Sequence, residues 1–326
     1  MAIVAVDGVP QAELGPAQFH ETVNLQLSGR SPAYAVSITI EPFSPGELFG
    51  IDDHRTLGLQ IERAELQRTG TAQHLVRRLP AGALEPEPHE FLNSYDTVVS
   101  NSSFTARWVK KRWRMESAVL EPPVRLRSSG TKEKSILSVG RFFGPDSGHS
   151  KRQLEMVRAF RTLHTRFPDW SLHLVGGCSD VDRPYLRLVE SEITDLPVHL
   201  HVNAAGAVLD DLYGRASIYW HASGLGADPR KNPERMEHFG ISVVEAMSAG
   251  AVPVVLSTGG PSDIVRHRRE GLHYGDLTGL ISSTSELVDD EALRDRLAES
   301  ASTRAIDFGR AAFARKALSL FSQAFA

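Results

Sequence analysis

The sequence predicts an α/β protein whose larger part is a parallel sheet with helices on both faces. From about residue 135 onward, short apolar runs alternate with amphipathic stretches of helical length, which is the pattern of repeated β–α–β units. The runs are rich in Val, Ile and Leu without polar alternation, as expected for strands buried on both faces. With 326 residues, of which 41% are hydrophobic, the chain is long enough for one large or two modest domains.

The elements of this larger part follow from the apolar spacing. Strands are predicted at residues 136–139, 172–175, 198–202, 218–220, 252–256 and 272–274. Helices are predicted between them at 154–167, 182–193, 208–216 and 241–249. The chain after residue 274 is predicted to be helical, and an Ala-rich final helix is expected to pack back across the body. Ligands of such a sheet lie beyond the carboxyl ends of its strands.

The first 95 residues carry fewer strand signals. Apolar runs predict strands at 3–6 and 35–40, a helix is predicted at 57–67, and the Pro-rich segment 80–88 is predicted to be a loop or linker. A third strand, 97–100, leads into a helix at 103–113. We expect the three strands to form one small sheet. The expected domains are a reduced N-terminal α/β lobe, a larger parallel-sheet domain and a C-terminal helix, at 1–128, 129–303 and 304–326.

Composition excludes several classes of protein. Lys and Arg total 36 against 40 Asp and Glu, so the net charge of −4 does not indicate a nucleic-acid binder. The one cysteine, Cys178, excludes an intrachain disulfide and is consistent with a reducing cytoplasm. The first residues lack a basic segment before an apolar one, and no run reaches about 18 apolar residues, so neither a signal peptide nor a membrane span is expected.

The strongest candidates for functional residues are two carboxylates eight positions apart, Glu237 and Glu245. Gly240 lies where a loop turns into the helix that carries Glu245. The unpaired N–H groups at such a helix start are suited to bind a phosphate, and a glycine allows close approach to the backbone. For this spacing alone, an amphipathic helix with solvated glutamates is the alternative interpretation.

The run from Glu237 to Gly250, EHFGISVVEAMSAG, resembles the E-x7-E motif of family 4 glycosyltransferases of the GT-B fold. Ser248 stands where that family usually has a small alanine, and the strand VPVVL with Gly259 and Gly260 follows in the family's order. Upstream, the segment SVGRF with Lys151 resembles the family's Gly-Arg…Lys phosphate pair, and residues 95–105 resemble the last strand and helix start of the acceptor-side domain. The resemblance covers residues 93 to about 320 and implies a GT-B-like, Rossmann-like donor domain.

This resemblance implies a site for a nucleotide diphosphate sugar. Fixed cations and backbone donors stabilise the departing diphosphate in transferases that use no metal. The implied roles place Arg141 and Lys151 on the diphosphate, Glu237 on the donor sugar and Glu245 on the ribose hydroxyls. The catalytic residues are then Glu237, Arg141 and Lys151, and the donor-binding residues are Gly140, His221, Phe239, Gly240, Ile241 and Glu245. No metal and no cofactor are expected.

Two further groups have competing interpretations. His221 ends a strand and could touch the donor or be a core histidine. His199 and His201 share a strand face, but they have no carboxylate or cysteine partner, which disfavours a metal site. Residues 107–114 interleave five cations with two tryptophans, a pattern that an anionic membrane surface, nucleic acid or an acidic acceptor could use. We expect the tryptophans to pack inward and the cations to be solvated.

The favoured function is a retaining, metal-independent glycosyltransferase that moves a sugar from a nucleotide diphosphate sugar to an unknown acceptor. Because the N-terminal part is short for this family, the alternative is a nucleotide-sugar-binding pseudoenzyme or subunit that needs a partner chain, or a homo-oligomer, to complete the acceptor site. Another GT-B activity, such as epimerisation or phosphorolysis, is disfavoured by the motifs. A cytoplasmic location, with peripheral membrane contact through residues 107–114, is expected.

Overall fold

The computed structural model describes residues 97–144 and 150–324, together with the backbone of three strands before them. The predicted helix at 57–67 and the predicted linker at 80–88 lie outside the described residues. The chain divides into two compact units, Met1–Gly82 and Ala83–Ala326. The lobe boundary expected at residue 128 lies within the second unit and stays a prediction.

The first unit contains a three-stranded antiparallel sheet. Strand β1 (Ala2–Val6) is central and pairs with β2 (Val9–Leu14) and β3 (Val36–Ile40). β1 and β3 confirm the strands predicted there, whereas β2 was not predicted, because Pro10 and Glu13 interrupt its apolar pattern. Pro10 is tolerated because β2 is an edge strand with a register shift beside it.

The expectation that the strand near residue 100 joins this sheet is wrong. β4 (Val99–Ser100) instead pairs in parallel with β5 (Ala118–Val119) as a separate two-stranded sheet. Helix α1 (Ser103–Trp113) connects them and has the predicted bounds, because the Ser102 hydroxyl accepts the Thr105 N–H at 3.0 Å and caps its first turn. A helical crossover brings the chain back parallel to the strand it left.

The second unit is built on a six-stranded sheet in which every pair of neighbours is parallel. In chain order, its strands are β6 (Glu133–Val139), β7 (Ser171–Gly176), β8 (Val198–Val202), β9 (Ala216–His221), β10 (Val252–Leu256) and β11 (Leu272–Tyr274). Their spatial order is β8-β7-β6-β9-β10-β11. The chain therefore builds outward from β6 in one direction, returns to β9 beside it, and builds outward in the other.

Helices connect these strands and continue to the end of the described chain. They are α2 (Gln153–His164), α3 (Arg183–Glu192), α4 (Gly206–Arg215), α5 (Ile241–Ser248), α6 (Pro261–Ile264), α7 (Leu277–Asp289), α8 (Glu291–Ala305) and α9 (Arg310–Ala324). All six residues of β9 are buried, and they alternate between two cores. Ile218 and Trp220 pack in the core that contains Phe160 of α2, whereas Tyr219 packs in the core that contains Val244 of α5. The predicted parallel α/β sheet with two buried faces is confirmed.

The expected C-terminal helix is present, but its start at residue 304 is wrong. α8 ends at Ala305, a 3-10 turn covers Ile306–Phe308, and α9 begins only at Arg310. Gly309 between them has extended backbone and forms an isolated parallel bridge with Val124. This pairing to a distant segment, which helical periodicity cannot reveal, breaks the helix. Among the described helices, none combines the length and apolar character needed to cross a bilayer.

Candidate active site

The site lies where neighbouring strands β6 and β9 send the chain in opposite directions across the sheet. In open parallel sheets such a switch point leaves a crevice at the carboxyl ends of the strands. Gly140 directly follows β6, and His221 is the last residue of β9. Lys151 comes two residues before α2, and Glu237 comes four residues before α5. The topology thus brings four of the predicted site residues to one edge.

The Glu237 carboxylate is the centre of this group. Its Oε2 accepts a hydrogen bond from Lys151 Nζ at 2.5 Å and lies 3.3 Å from His221 Nε2. The side chains of Glu237 and Lys151 are 24% and 26% exposed, and His221 is buried. Burial alone would raise the pKa of Glu237, but His221 and Lys151 outweigh it and hold that pKa well below its ordinary value. Glu237 is therefore a carboxylate at neutral pH and accepts hydrogen bonds.

Two polar side-chain atoms near the end of β9 lack a hydrogen-bond partner among the described residues. They are His221 Nδ1 and Ser223 Oγ, and both are buried. The His221 carbonyl accepts a bond from the Tyr274 hydroxyl at 2.8 Å, which anchors this strand end to β11. Buried polar atoms without partners are uncommon and mark places where a ligand or water completes the bonding.

The loop after β6 is shaped for close contact with Lys151. A Cβ on Gly140 would lie 2.6 Å from Lys151 Cγ, so a glycine leaves room for the lysine stem. The Gln153 side-chain amide donates to the carbonyls of Gly140 and Arg141 at 3.1 and 3.0 Å and holds the loop in place. Arg141 is exposed, and its guanidinium lies 4.4 Å from the centre of the Phe143 ring. The loop therefore presents one cation beside Glu237 and a second on the surface nearby.

The start of α5 is fixed by backbone contacts around Glu237. Gly240 adopts φ +112° as the residue before the helix, a left-handed conformation that favours glycine. Phe239 is buried edge-on against Phe308, so its ring belongs to the core, while Ile241 is exposed at the first turn. Gly260, after β10, donates its N–H to the Glu237 carbonyl at 2.7 Å, and a Cβ there would lie 2.1 Å from the His238 carbonyl oxygen. The predicted glycine pair thus packs directly on the Glu237 loop.

Glu245 belongs to a separate cluster. Its Oε1 accepts from Arg127 Nε at 2.9 Å and also from Arg127 Nη2, and its Oε2 accepts from the Tyr213 hydroxyl at 2.9 Å. Arg127 Nη1 also donates to Asp210. The structure therefore gathers Lys151, Glu237 and His221 in one contact group and holds Glu245 in another.

Sequence reasoning missed Arg127, Tyr213 and Asp210. A signal for them exists: Glu245 lies in the strongly apolar helix α5, and a carboxylate in such a position requires a cation and hydrogen-bond donors. Which arginine supplies them is not visible in the sequence, since Arg127 is 118 residues away.

The histidines of β7 and β8 pack on one another. His173 Nδ1 lies 3.1 Å from His201 Nε2, and the His173 ring stacks on His199 at 4.8 Å. Burial first, and then the neighbouring histidines and Arg215, lower the pKa of His173 to about 4. Among the described residues, no group of His, Cys, Asp or Glu side chains has the geometry of a metal site.

The basic aromatic helix α1 is only partly as expected. Trp108 packs against the core, with Lys111 Nζ 4.4 Å from its ring centre. Trp113 is 41% exposed, so the expectation that both tryptophans pack inward is wrong for this residue. Trp113 lies in the last turn of α1, beyond the turn from which Trp108 packs against the core. Arg107 is bound to both oxygens of Asp263 at 3.1 Å, which ties α1 to α6.

Comparisons with known proteins match a large part of the second unit. A family described as "Glycosyl transferases group 1" matches residues 127–304. The GDP-Man:Man(3)GlcNAc(2)-PP-Dol alpha-1,2-mannosyltransferase of Dictyostelium discoideum is 28% identical over 210 residues, covering 56% of this chain and 38% of that protein. The human enzyme of the same name is also 28% identical, over 213 residues, with 59% and 39% covered. The chain thus spans less than half the length of these relatives.

A solved structure supports the fold. The structure of Anabaena Alr3699/HepE in complex with UDP aligns with a TM-score of 0.59 at 17% identity, over 70% of this chain and 64% of that one. The larger unit therefore has the Rossmann-like α/β fold of GT-B glycosyltransferase structures. Because the family match covers residues 127–304 and contains Gly140, Lys151, His221, Glu237 and Glu245, the chain belongs to the group 1 glycosyltransferase family.

Proposed function

We propose that this chain is a retaining, metal-independent glycosyltransferase that moves a sugar from a nucleotide diphosphate sugar to an acceptor. The observation that carries the proposal is the contact group at the switch point, where Glu237 Oε2 lies 2.5 Å from Lys151 Nζ and 3.3 Å from His221 Nε2. One carboxylate that accepts hydrogen bonds and one ammonium that donates them suit a sugar joined to a phosphate.

The role of the cations is to stabilise the negative charge that builds up on the leaving group. As the bond from the sugar to the diphosphate breaks, negative charge grows on the phosphate, and preorganised donors stabilise it. Lys151 has three N–H donors, of which Glu237 takes one, so a phosphate can be bound while the ion pair persists. Arg141 adds a planar fork that binds two phosphate oxygens, and the first amides of α5 add backbone donors.

In this proposal, Glu237 positions the donor sugar and does not act as a nucleophile. Its low pKa suits a hydrogen-bond acceptor for sugar hydroxyls. The acceptor hydroxyl then attacks on the face that the diphosphate leaves and passes its proton to the departing phosphate oxygen, so the configuration at the anomeric carbon is retained. Glu245 accepts from the ribose hydroxyls.

The relatives suggest a donor and an acceptor class. Both mannosyltransferases named above use GDP-mannose and a dolichol-linked glycan by their names. We therefore propose GDP-mannose as the donor and a lipid-linked glycan as the acceptor, with the cations and exposed Trp113 at the end of α1 lying against the membrane surface from the cytoplasmic side. Aromatic and basic side chains are suited to such an interface.

The test is to incubate the purified chain with GDP-mannose, with and without a short lipid-linked glycan, and to follow free mannose, GDP and product. We expect transfer that is insensitive to chelator and a product whose anomeric configuration, read by NMR, equals that of the donor. Strict dependence on a divalent cation or an inverted product would contradict the mechanism. Binding of GDP-mannose with neither hydrolysis nor transfer would instead support the binding-subunit alternative.

A further inference from the structure

We propose that Arg127 is a positioning residue of the donor site, which holds the Glu245 carboxylate in the orientation that recognises ribose. This inference rests on the proposed function, in which Glu245 binds the ribose hydroxyls. Arg127 lies before β6, outside every motif that identifies the donor site, and it acts on the nucleotide only through Glu245.

The Arg127 guanidinium binds one oxygen of the Glu245 carboxylate. Arg127 donates from both Nε and Nη2 to Glu245 Oε1, while its Nη1 donates to Asp210 on α4. The side chains of Arg127 and Glu245 are only 10% and 12% exposed, so water screens the pair weakly. A guanidinium held at three nitrogens cannot rotate away without breaking charge-assisted bonds in a largely buried site.

Tyr213 binds the other oxygen of the Glu245 carboxylate. Its buried hydroxyl donates to Glu245 Oε2 at 2.9 Å, and its ring lies under the Arg127 guanidinium at 5.2 Å. Burial, followed by the neighbouring Tyr219 and Glu245, raises the pKa of Tyr213 well above its ordinary value, so its hydroxyl keeps its proton and remains a donor. Each carboxylate oxygen has two acceptor positions. Arg127 occupies both on Oε1, and the remaining position on Oε2 is left for a ribose hydroxyl.

The backbone of Arg127 is fixed to the same helix as Glu245. Its N–H donates to the Ser248 hydroxyl at 2.8 Å, and Ser248 lies within one turn of Glu245 on α5. Shortly after it, Gly130 N–H donates to the Gly214 carbonyl at the end of α4 at 3.0 Å. The segment that carries Arg127 therefore joins α4 to α5, and Glu245 is held between them.

The chain offers a matched control. Arg125, two residues earlier, also donates to Asp210, at 3.1 Å, but it is exposed, and the Glu245 contacts come from Arg127. We therefore compare the variants Arg127→Met, Arg127→Lys and Arg125→Met. The comparison separates loss of the hydrogen bonds to Glu245 from a general loss of positive charge beside α4. Glu245→Gln is included to measure the contribution of the carboxylate itself.

The experiment measures dissociation constants for GDP and for its 2′,3′-dideoxy analogue by calorimetry, with thermal unfolding of each variant. We expect the wild type and Arg125→Met to bind GDP about tenfold or more tightly than the dideoxy analogue, the size of one charge-assisted hydrogen bond. Arg127→Met should bind both equally, and Arg127→Lys should recover part of the preference. A merely structural arginine would change unfolding but leave the preference intact.

The outcomes separate the two proposals. If the wild type binds GDP with a ribose preference that Glu245→Gln removes and folded Arg127→Met retains, the positioning role is refuted while the proposed function stands. If Arg127→Met does not fold, retention of the full preference by Arg127→Lys refutes the role, because a lysine cannot reproduce the double contact. If the wild type binds no nucleoside diphosphate, the proposed function itself fails.

Discussion

Lys151 and Glu237 lie 86 residues apart in the chain, yet their charged atoms are 2.5 Å apart in a site that leaves each about one-quarter exposed. The Glu237 carboxylate is not neutralised by burial, because His221 and Lys151 together offset its desolvation and hold its pKa below the ordinary value. At the residue scale, the site thus keeps a hydrogen-bond donor, Lys151, in contact with a carboxylate acceptor, Glu237. Charged pairs of this kind bind polar ligands strongly when a ligand phosphate or hydroxyl replaces water.

Lys151→Ala tests the phosphate role. We expect it to weaken nucleoside diphosphate binding by about 1.5–3 kcal/mol, the range for hydrogen bonds to charged groups, and to leave the fold intact. Isothermal calorimetry measures the affinity. Lys134→Ala is the control, because this exposed lysine pairs only with Asp169 among the described residues. Equal affinities of Lys151→Ala and the wild type would remove Lys151 from the site.

The two glutamates are expected to differ under the same change. Glu245→Gln should reduce affinity for the nucleoside diphosphate and for the sugar donor alike, because both contain ribose. Glu237→Gln should spare nucleoside diphosphate affinity by comparison and reduce turnover of the intact donor, since in the proposed function Glu237 contacts the sugar. Steady-state kinetics and calorimetry on both variants measure this. Matching losses of nucleoside diphosphate affinity would contradict the division of roles.

At the scale of elements, α4 and α5 are joined at their carboxyl ends by a single lysine. Lys132 Nζ donates to the carbonyls of Gly214 and Ala216 at 2.9 Å and of Ala249 at 2.6 Å. Carbonyls at a helix end lack partners within the helix and carry the negative end of its dipole, so an ammonium there satisfies both helices. Burial lowers the pKa of Lys132 to about 8, which shows how closely it is enclosed.

Lys132→Met is therefore expected to destabilise the second unit. The Gly214 carbonyl keeps the Gly130 N–H as a donor, but the carbonyls of Ala216 and Ala249 lose the ammonium. An unsatisfied buried acceptor costs about 1–3 kcal/mol, so a loss of about that size is expected. Denaturant unfolding at pH 7 measures it, with Lys134→Met, an exposed lysine two residues later, as the control. If both variants are equally stable, the capping role of Lys132 is wrong.

The stacked histidines on β7 and β8 predict a loss of stability in mild acid. His173 has a pKa of about 4 in the native state, below its ordinary value of 6.5. As pH falls from 6.5 to 4, the unfolded chain binds a proton that the native state does not, so the free energy of unfolding decreases across this window. His173→Gln should lose about 3 kcal/mol less than the wild type between pH 7 and pH 4. Denaturant unfolding between pH 7 and 4 measures this, and parallel curves for the two proteins would contradict it.

At the scale of the whole molecule, the family match, the six-stranded sheet and all nine candidate site residues fall within the second unit. In the proposed function, the residues that bind the nucleotide part of the donor therefore all belong to this unit. A ligand that binds only the native state stabilises it by RT ln(1 + [L]/Kd), about 2.7 kcal/mol at a hundredfold excess over Kd.

A panel of nucleotides tests this on the full chain. We expect GDP and GDP-mannose to raise the unfolding temperature in a concentration-dependent way, and to do so more than UDP. Guanosine, which lacks the diphosphate, should have a smaller effect because it does not reach Lys151 and Arg141. Differential scanning fluorimetry measures the shifts. A larger shift with UDP than with GDP would redirect the donor assignment.

The sequence by itself determined the second unit's strands closely. The bounds of β8, β10 and β11 are as predicted, because apolar runs bounded by polar residues, Gly or Pro leave little choice of strand ends. The motifs that resemble family 4 glycosyltransferases also implied that Gly140, Lys151 and Glu237 serve one site, and the position of His221 at the end of a strand added it as a candidate. Local spacing carries the information for the strands, and the resemblance carries it for the site residues.

Only the tertiary structure decided which distant residues meet. β4 pairs with β5 rather than with β1 or β3, Gly309 bridges to Val124 and breaks the last helix, and Glu245 is held by Arg127 and Tyr213. None of these partners is marked by periodicity. Hydrogen bonds and ion pairs between remote segments depend on how the whole chain closes around its core, and the sequence around one partner carries no record of where the other will lie.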